Sequence, residues 1–249
     1  NLLKPGTNPE SNLMFLSFFI NTIKAVHDNA DLIRASIASA ANDHRLGANE
    51  APPAIISAFI GSTLTKVLED FLSGQSSEED NGSRTISIQN IPEILVDNTD
   101  RNRTSPFAFT GNKFELRAVG SSKNSAQPMT FLNSAVANQL KEFIANVNSR
   151  VAGGENQQAA IDSELKSTLE AGKNILFEGN NYGDGCVEEA ARRGLNNIKN
   201  TPESLSAYLS EQSEKVFVDN GIFTKPELHA RHEIMLEEYV KKIQIEGRV

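Results

Sequence analysis

Apolar residues in this chain recur every three to four positions almost throughout, but between residues 85 and 119 the spacing drops to two. That switch constrains the fold more than any other feature. A period near 3.6 buries one face of a helix, whereas a period of two buries one face of a sheet. Behind Asn8-Pro9-Glu10, a helix start in which Asn caps and Pro takes the first turn, Leu13, Leu16, Ile20, Ile23 and Val26 form a stripe. The stripe continues through Leu32, Ile33 and Ile37, which predicts one or two helices ending near Ala40. Residues 42–53 are irregular, and a further helix is expected over 54–72. The segment 73–83, SGQSSEEDNGS, has no apolar side chain and reads as an exposed flexible acidic loop. Residues 85–88 alternate, while 107–109 and 113–119 read as strands joined by Thr110-Gly111-Asn112. Beyond Phe131 helices are expected over 131–151, 157–177, 186–195, 202–218 and 225–244. The last opens on a T-x-x-E capping box at Thr224 and Glu227, and Thr201-Pro202 opens the one before it.

Strands confined to 85–119, with helices on both sides, do not make a βαβ series. The expected class is α+β, mostly helical, with a small antiparallel sheet segment able to complete a sheet begun upstream. No internal repeat is present.

Charge and cysteine content narrow the functions. With 24 Lys+Arg against 32 Asp+Glu the net charge is −8, which removes any whole-chain argument for nucleic acid or an anionic membrane surface. Cys186 is the single cysteine, so neither a disulfide framework nor a Cys₄ zinc site can form. The longest mainly apolar run, 13–20, is interrupted by Ser17 and flanked by Asn12 and Asn21, too short to span a bilayer. No secretion signal is expected, so the N-x-S/T matches at Asn81 and Asn102 are not read as glycosylation sites. The chain opens at Asn1 without Met and soon enters a helix, and is therefore expected to be a piece of something longer.

Two stretches concentrate chemistry. DNTDRNRTSPFAFTGNKFELR, 97–117, sets Arg101, Arg103, Lys113 and Arg117 within seventeen residues of an acidic chain. If 107–109 and 113–117 pair, Lys113, Glu115 and Arg117 share one face. Two cations flanking a carboxylate suit a polyanion with its divalent metal: the glutamate holds the cation and the basic groups neutralise phosphoryl oxygens. A solvated strand face of alternating charge has the same spacing. The second stretch, NDHRLGANEAPP at 42–53, gathers polar side chains in a loop pinned by Gly47 and two prolines. It reads either as a rigid ligand-facing segment or as a plain helix–helix connection. Weaker features read as structure. His229 and His232 with Glu233 lack further zinc ligands nearby. GNNYGDG at 179–185 lacks the phosphate-loop arrangement and reads as a helix–helix joint. Cys186 reads as a buried or half-buried thiol.

NDHRLGANEAPPAI at 42–55 and DRNRTSPFAFTGNKFELR at 100–117 resemble glutamine synthetase, specifically its long type III form. KPGTNPESNLMFL near the start and GIFTKPELHARHEIMLEEY near the end resemble the same subfamily, so the likeness covers essentially the whole chain. It implies that 1–130 is the C-terminal part of a catalytic domain, continued by a helical region over 131–249. It also implies ATP-driven ligation of ammonium to L-glutamate through γ-glutamyl phosphate. The ligands would be L-glutamate, ammonium, ATP and Mg²⁺ or Mn²⁺, bound between subunits of a cytoplasmic double-ring dodecamer, with no nucleic acid or membrane partner.

Residue by residue, the resemblance makes Arg45 the holder of the glutamate carboxylate and Glu50 the flap glutamate that closes over the intermediate and deprotonates ammonium. Arg103 would contact the transferred phosphoryl group, Lys113 the nucleotide phosphates, and Arg117 both glutamate and phosphoryl group. Glu115 would ligate metal. There are departures. Bacterial type I members have a second arginine where Ala108 stands here, leaving Arg101 as the substitute on the nucleotide side. The loop from Arg45 to Glu50 is also one residue shorter. The family's remaining metal-ligating glutamates and glycine-rich substrate loop would lie upstream, so these 249 residues would carry an inactive half-site with an open sheet edge beside 107–119. Two alternatives stand beside this reading: a γ-glutamylamide synthetase using another amine, and a non-catalytic structural module.

Overall fold

The structure is a computed structural model that describes residues 1–48, 53–74, 105–118, 123–177 and 184–248. Helices dominate it, as the apolar spacing predicts. Asn8 and Pro9 open only a 3₁₀ turn, Pro9–Ser11, and the cap of the first α-helix is Asn12, whose side chain accepts from Phe15 N–H at 3.1 Å. Helix α1 (Leu13–Asp28) ends at Asn29, and α2 (Ala30–Ser36) and α3 (Ala40–Arg45) follow. Three helices therefore occupy a stretch expected to hold one or two, and the last passes Ala40. The break comes where the Asn29 amide donates to Ala25 O at 2.8 Å and its oxygen accepts from Gln212 at 2.9 Å. These bonds offer the backbone an alternative to continued helix.

The expected helix over 54–72 begins later. Residues 58–59 form strand β1 (Ala58–Phe59), Gly61 turns the chain at φ +82°, and α4 runs Ser62–Ser73. Ala54, Ile55, Ile56, Ala58 and Ile60 are all buried, and a short, mainly apolar run of that length fits a covered strand as well as a helix. β1 pairs parallel with β2 (Phe107–Phe109), which pairs antiparallel with β3 (Phe114–Leu116). The hairpin is antiparallel as expected, but the sheet is mixed, and strands are not confined to 85–119. β1 covers one side of the hairpin, and β3 is the edge strand on the other side among the described residues. Beyond β1, Phe177 N–H donates to Ala58 O at 3.0 Å. The expected strand at 85–88 and most of the loop at 73–83 lie outside the described residues.

The C-terminal helices are α5 (Ala126–Ala152), α6 (Gln157–Gly172), α7 (Asp184–Arg192), α8 (Thr201–Leu205), α9 (Glu211–Ser213) and α10 (Lys225–Glu246). The single helix expected over 202–218 is broken: a 3₁₀ turn spans Ser206–Leu209, and α9 runs into a π turn, Glu214–Val218. Ser210 takes an extended conformation between them and its hydroxyl caps Ser213 N–H at 3.1 Å. The capping box that opens α10 forms as its sequence dictates.

Two apolar clusters hold these elements. In the first, Phe15 and Phe19 of α1 meet Phe107, Phe109 and Phe114 of the hairpin, then Leu165 and Leu169 of α6. Full burial of each such ring contributes about 1.5–3 kcal/mol. The second joins Leu32 and Ala35 of α2 to Phe131, Leu205, Tyr208, Phe217 and Leu228. No described helix is long and apolar enough to cross a membrane.

Candidate functional site

β3 sorts its side chains by the period of two. Phe114 stacks on Phe107, with centroids 4.7 Å apart, and Leu116 packs on the same cluster. Lys113, Glu115 and Arg117 take the opposite face. Lys113 Nζ lies 3.1 Å from Glu115 Oε1, and Arg117 donates to Glu115 Oε2 through Nε at 3.3 Å and Nη2 at 3.2 Å. Thr110, at the foot of the turn, donates its hydroxyl to Glu115 at 3.3 Å. Gly111, at φ +92°, lets the turn close, and Thr110 N–H reaches Lys113 O at 2.9 Å.

Hydrogen bonds from Lys113 and then Arg117 hold the Glu115 carboxyl below the usual carboxylate range, so it is ionised at neutral pH. Two cations and one anion leave a net positive charge. Ion pairs on a strand face open to water contribute little to stability, so Lys113 and Arg117 can turn to an incoming anion at little loss. The two cations differ in setting. The Lys113 side chain is 63% exposed and the Arg117 side chain 19%. Arg117 is the rooted donor and Lys113 the reaching one.

Ala108 completes this face. It stands opposite Glu115 in the ladder and is fully buried, with Phe59 of β1 beside it on the other side.

The segment 42–48 is the second element. The buried Asn42 donates to Ile37 O at 2.6 Å. The Asp43 carboxylate accepts from Thr201 N–H at 2.9 Å and Thr201 Oγ1 at 2.8 Å. His44 Nε2 lies 3.0 Å from Glu246 Oε2. Arg45 is exposed, and its side chain has no partner among the described residues. Gly47 follows at φ +76°. Glu50, Arg101 and Arg103 lie outside the described residues.

An ionised Glu115 suits one metal-ligand position. Among the described residues, however, no group of three His, Cys, Asp or Glu side chains could hold a metal ion. These residues therefore do not make up a metal centre, and His229, His232 and Glu233 read as helix surface. Cys186, 7% exposed, lines a small, mainly apolar cleft with Ile55, Pro106 and Phe177, and burial pushes its thiol up. It is a packed thiol, as its sequence context suggests.

Sequence reasoning did not single out Asp43, Thr201, Tyr239 or Glu246 as supports of the 42–48 segment. Local pattern carries no signal for a contact spanning 158 positions.

Residues 160–249 match the family described as glutamine synthetase C-terminal domain. Over its full length the chain is 49% identical to a glutamine synthetase of Bacteroides fragilis (strain YCH46), covering 35% of that protein. It is 45% identical to a glutamine synthetase of Butyrivibrio fibrisolvens, over 99% of this chain and 35% of that one. A type-3 glutamine synthetase of Dictyostelium discoideum is 42% identical, over 99% and 34%. The chain spans about a third of the length of the curated relatives it matches.

Proposed function

On the premise that this chain belongs to the glutamine synthetase family, with a type-3 member among its relatives, we propose that the intact protein ligates ammonium to L-glutamate, driven by ATP. The observation that carries this reading is the Lys113–Glu115–Arg117 face, a concentrated basic site in a chain of net charge −8.

A carboxylate is a poor acyl donor, and phosphorylation supplies its leaving group. A γ-carboxylate oxygen of glutamate attacks the γ-phosphorus of ATP, the bond to the β-phosphate oxygen breaks, and ADP leaves. Ammonia then attacks the acyl carbon of γ-glutamyl phosphate, and the C–O bond breaks to release phosphate. Arg117 and Arg103 hold charge on the transferring phosphoryl group, where fixed donors act most strongly in the transition state. Lys113 and Arg101 neutralise nucleotide phosphates. Arg45 holds the glutamate carboxylate, and Glu50 accepts the proton that ammonium loses.

Glu115 supplies one carboxylate toward Mg²⁺ or Mn²⁺, whose bound charge screens phosphate from phosphate. Its other ligands come from outside the described residues. Assembly as a cytoplasmic double-ring dodecamer belongs to the same proposal.

The test uses the intact protein. Glutamate- and ammonium-dependent ADP release is expected. Arg117→Ala should lower kcat more than it weakens ATP binding. Glu50→Ala should still form ADP with glutamate in a rapid-quench experiment without ammonia, while amide formation falls roughly 10²–10⁴-fold. Absence of ammonium-dependent glutamine overturns the reading. A preference for small primary amines would reassign the acceptor.

A further inference from the structure

Arg45 is exposed, yet the residues just ahead of it in α3 are fastened on every side. Asn42 is tied to the carbonyl of Ile37, Asp43 to both donors of Thr201, and His44 to Glu246. Beneath Asp43 lies Arg34, 1% exposed. It donates to the carbonyls of Ile198 at 3.0 Å and Lys199 at 3.4 Å and stands 3.9 Å from the Asp43 carboxylate. Its Nη1 is buried without a partner among the described residues. A buried guanidinium with one neighbouring anion resists movement of that anion, because separating them leaves an uncompensated charge. The Tyr239 hydroxyl on α10 faces the same carboxylate, and burial first, then Asp43, raises its pKa.

The contact does two things. Asp43 satisfies the first N–H of α8, which the Asn200 cap leaves free because its side chain accepts only from Glu203 N–H at 2.9 Å. It also fixes the rotation of α3. Residues two apart on an α-helix point about 200° from one another. A clamp that turns Asp43 inward therefore turns Arg45 outward.

Thr201, Tyr239 and Glu246 all lie in the stretch that matches the C-terminal domain. We infer that Asp43, clamped by Thr201, is a positioning residue that sets the direction of Arg45, so that α8 and α10 tune the affinity for the amino-acid substrate. The inference rests on Arg45 being the glutamate-binding arginine proposed above.

The experiment measures kcat and the KM values for glutamate and ATP in the intact enzyme. Thr201→Val removes one donor to Asp43 and leaves Arg34 its anion, so folding is least disturbed. Its glutamate KM should rise roughly tenfold, as expected for a misdirected binding group, with kcat and the ATP KM within about twofold. Thr201→Ser, which restores the hydroxyl, should return the glutamate KM to the wild-type value. Asp43→Asn should shift the same KM; if it fails to assemble, the Thr201 pair decides alone.

A loss of kcat at unchanged glutamate KM in Thr201→Val is what a merely structural role would produce, through fewer folded sites, and overturns the inference. If Arg45→Ala raises the glutamate KM and Thr201→Val does not, the positioning link falls while the role of Arg45 stands. If Arg45→Ala leaves the glutamate KM unchanged, both fall, since nothing remains to be positioned.

Discussion

Ala108 lies directly across the β2–β3 ladder from Glu115, a buried methyl group on the face that carries Lys113 and Arg117. The bacterial type I pattern has an arginine at this position. Here the position is fully buried, with Phe59 and Glu115 as its cross-strand neighbours. Ala108→Arg is therefore expected to destabilise the chain by about 1–3 kcal/mol through overpacking alone. Urea denaturation of both forms measures it. An unchanged midpoint would mean that this face has room for a third cation.

Glu115 should titrate lower than an ordinary glutamate. Its folded pKa is depressed, first by the Lys113 and then by the Arg117 hydrogen bonds. Its ion pairs are thus fully present above the unfolded value near 4.5 and are lost as pH falls through the lower folded value. The Glu115 carboxyl carbon followed by NMR should show its midpoint below 4.5, moving up in Lys113→Gln and in Arg117→Gln. Because Lys113 is exposed and Glu115 open to water, high salt should shrink the shift. A midpoint indifferent to both substitutions would dissolve the cluster as an electrostatic unit.

The Arg34–Asp43 pair makes a stability prediction distinct from the kinetic one. Asp43→Ala strands a buried guanidinium and is expected to cost about 3–5 kcal/mol. Adding Arg34→Met should recover a large part of that loss, since an apolar side chain no longer needs a partner. Chemical unfolding of the two single variants and the double variant closes the cycle. Additive losses would show that the two side chains do not depend on each other.

Tyr208 sets an alkaline limit. It is fully buried, and Gln127 donates to its hydroxyl. Burial pushes its pKa well above the ordinary value of 10.0. A raised folded pKa means that the stabilising preference for the neutral phenol is complete below the unfolded value and is lost as pH rises through the folded one. Melting temperatures measured between about pH 8 and 11 should fall at the alkaline end in the wild type. Tyr208→Phe should start lower by roughly 1 kcal/mol for the lost hydrogen bond and decline less steeply. Parallel curves would remove Tyr208 from the alkaline transition.

Features whose physics is local were legible in the sequence. The capping box at Thr224 and Glu227 needs only four consecutive residues, and it forms. The hairpin needs two alternating runs and a Gly at positive φ, and it too forms. Because alternation is a property of a single strand, the shared face of Lys113, Glu115 and Arg117 could be read before any fold was known. The stretch 54–60 misled for the converse reason. A short run of apolar residues has no period of its own, so it was settled by what packs around it: β2 on one side and Phe177 on the other.

The sequence by itself determined the buried stripe of α1, where α10 begins, and the charged face of β3. These follow from backbone geometry and caps that act over a few residues. Tertiary structure alone decided that β1 joins the sheet in parallel, that Ala108 is fully buried, and that Asp43 meets Thr201 158 positions later. Those contacts exist because two apolar clusters close around α1 and α2 and bring distant segments within hydrogen-bond reach. Partners at that range are chosen by which surfaces the cores leave facing one another.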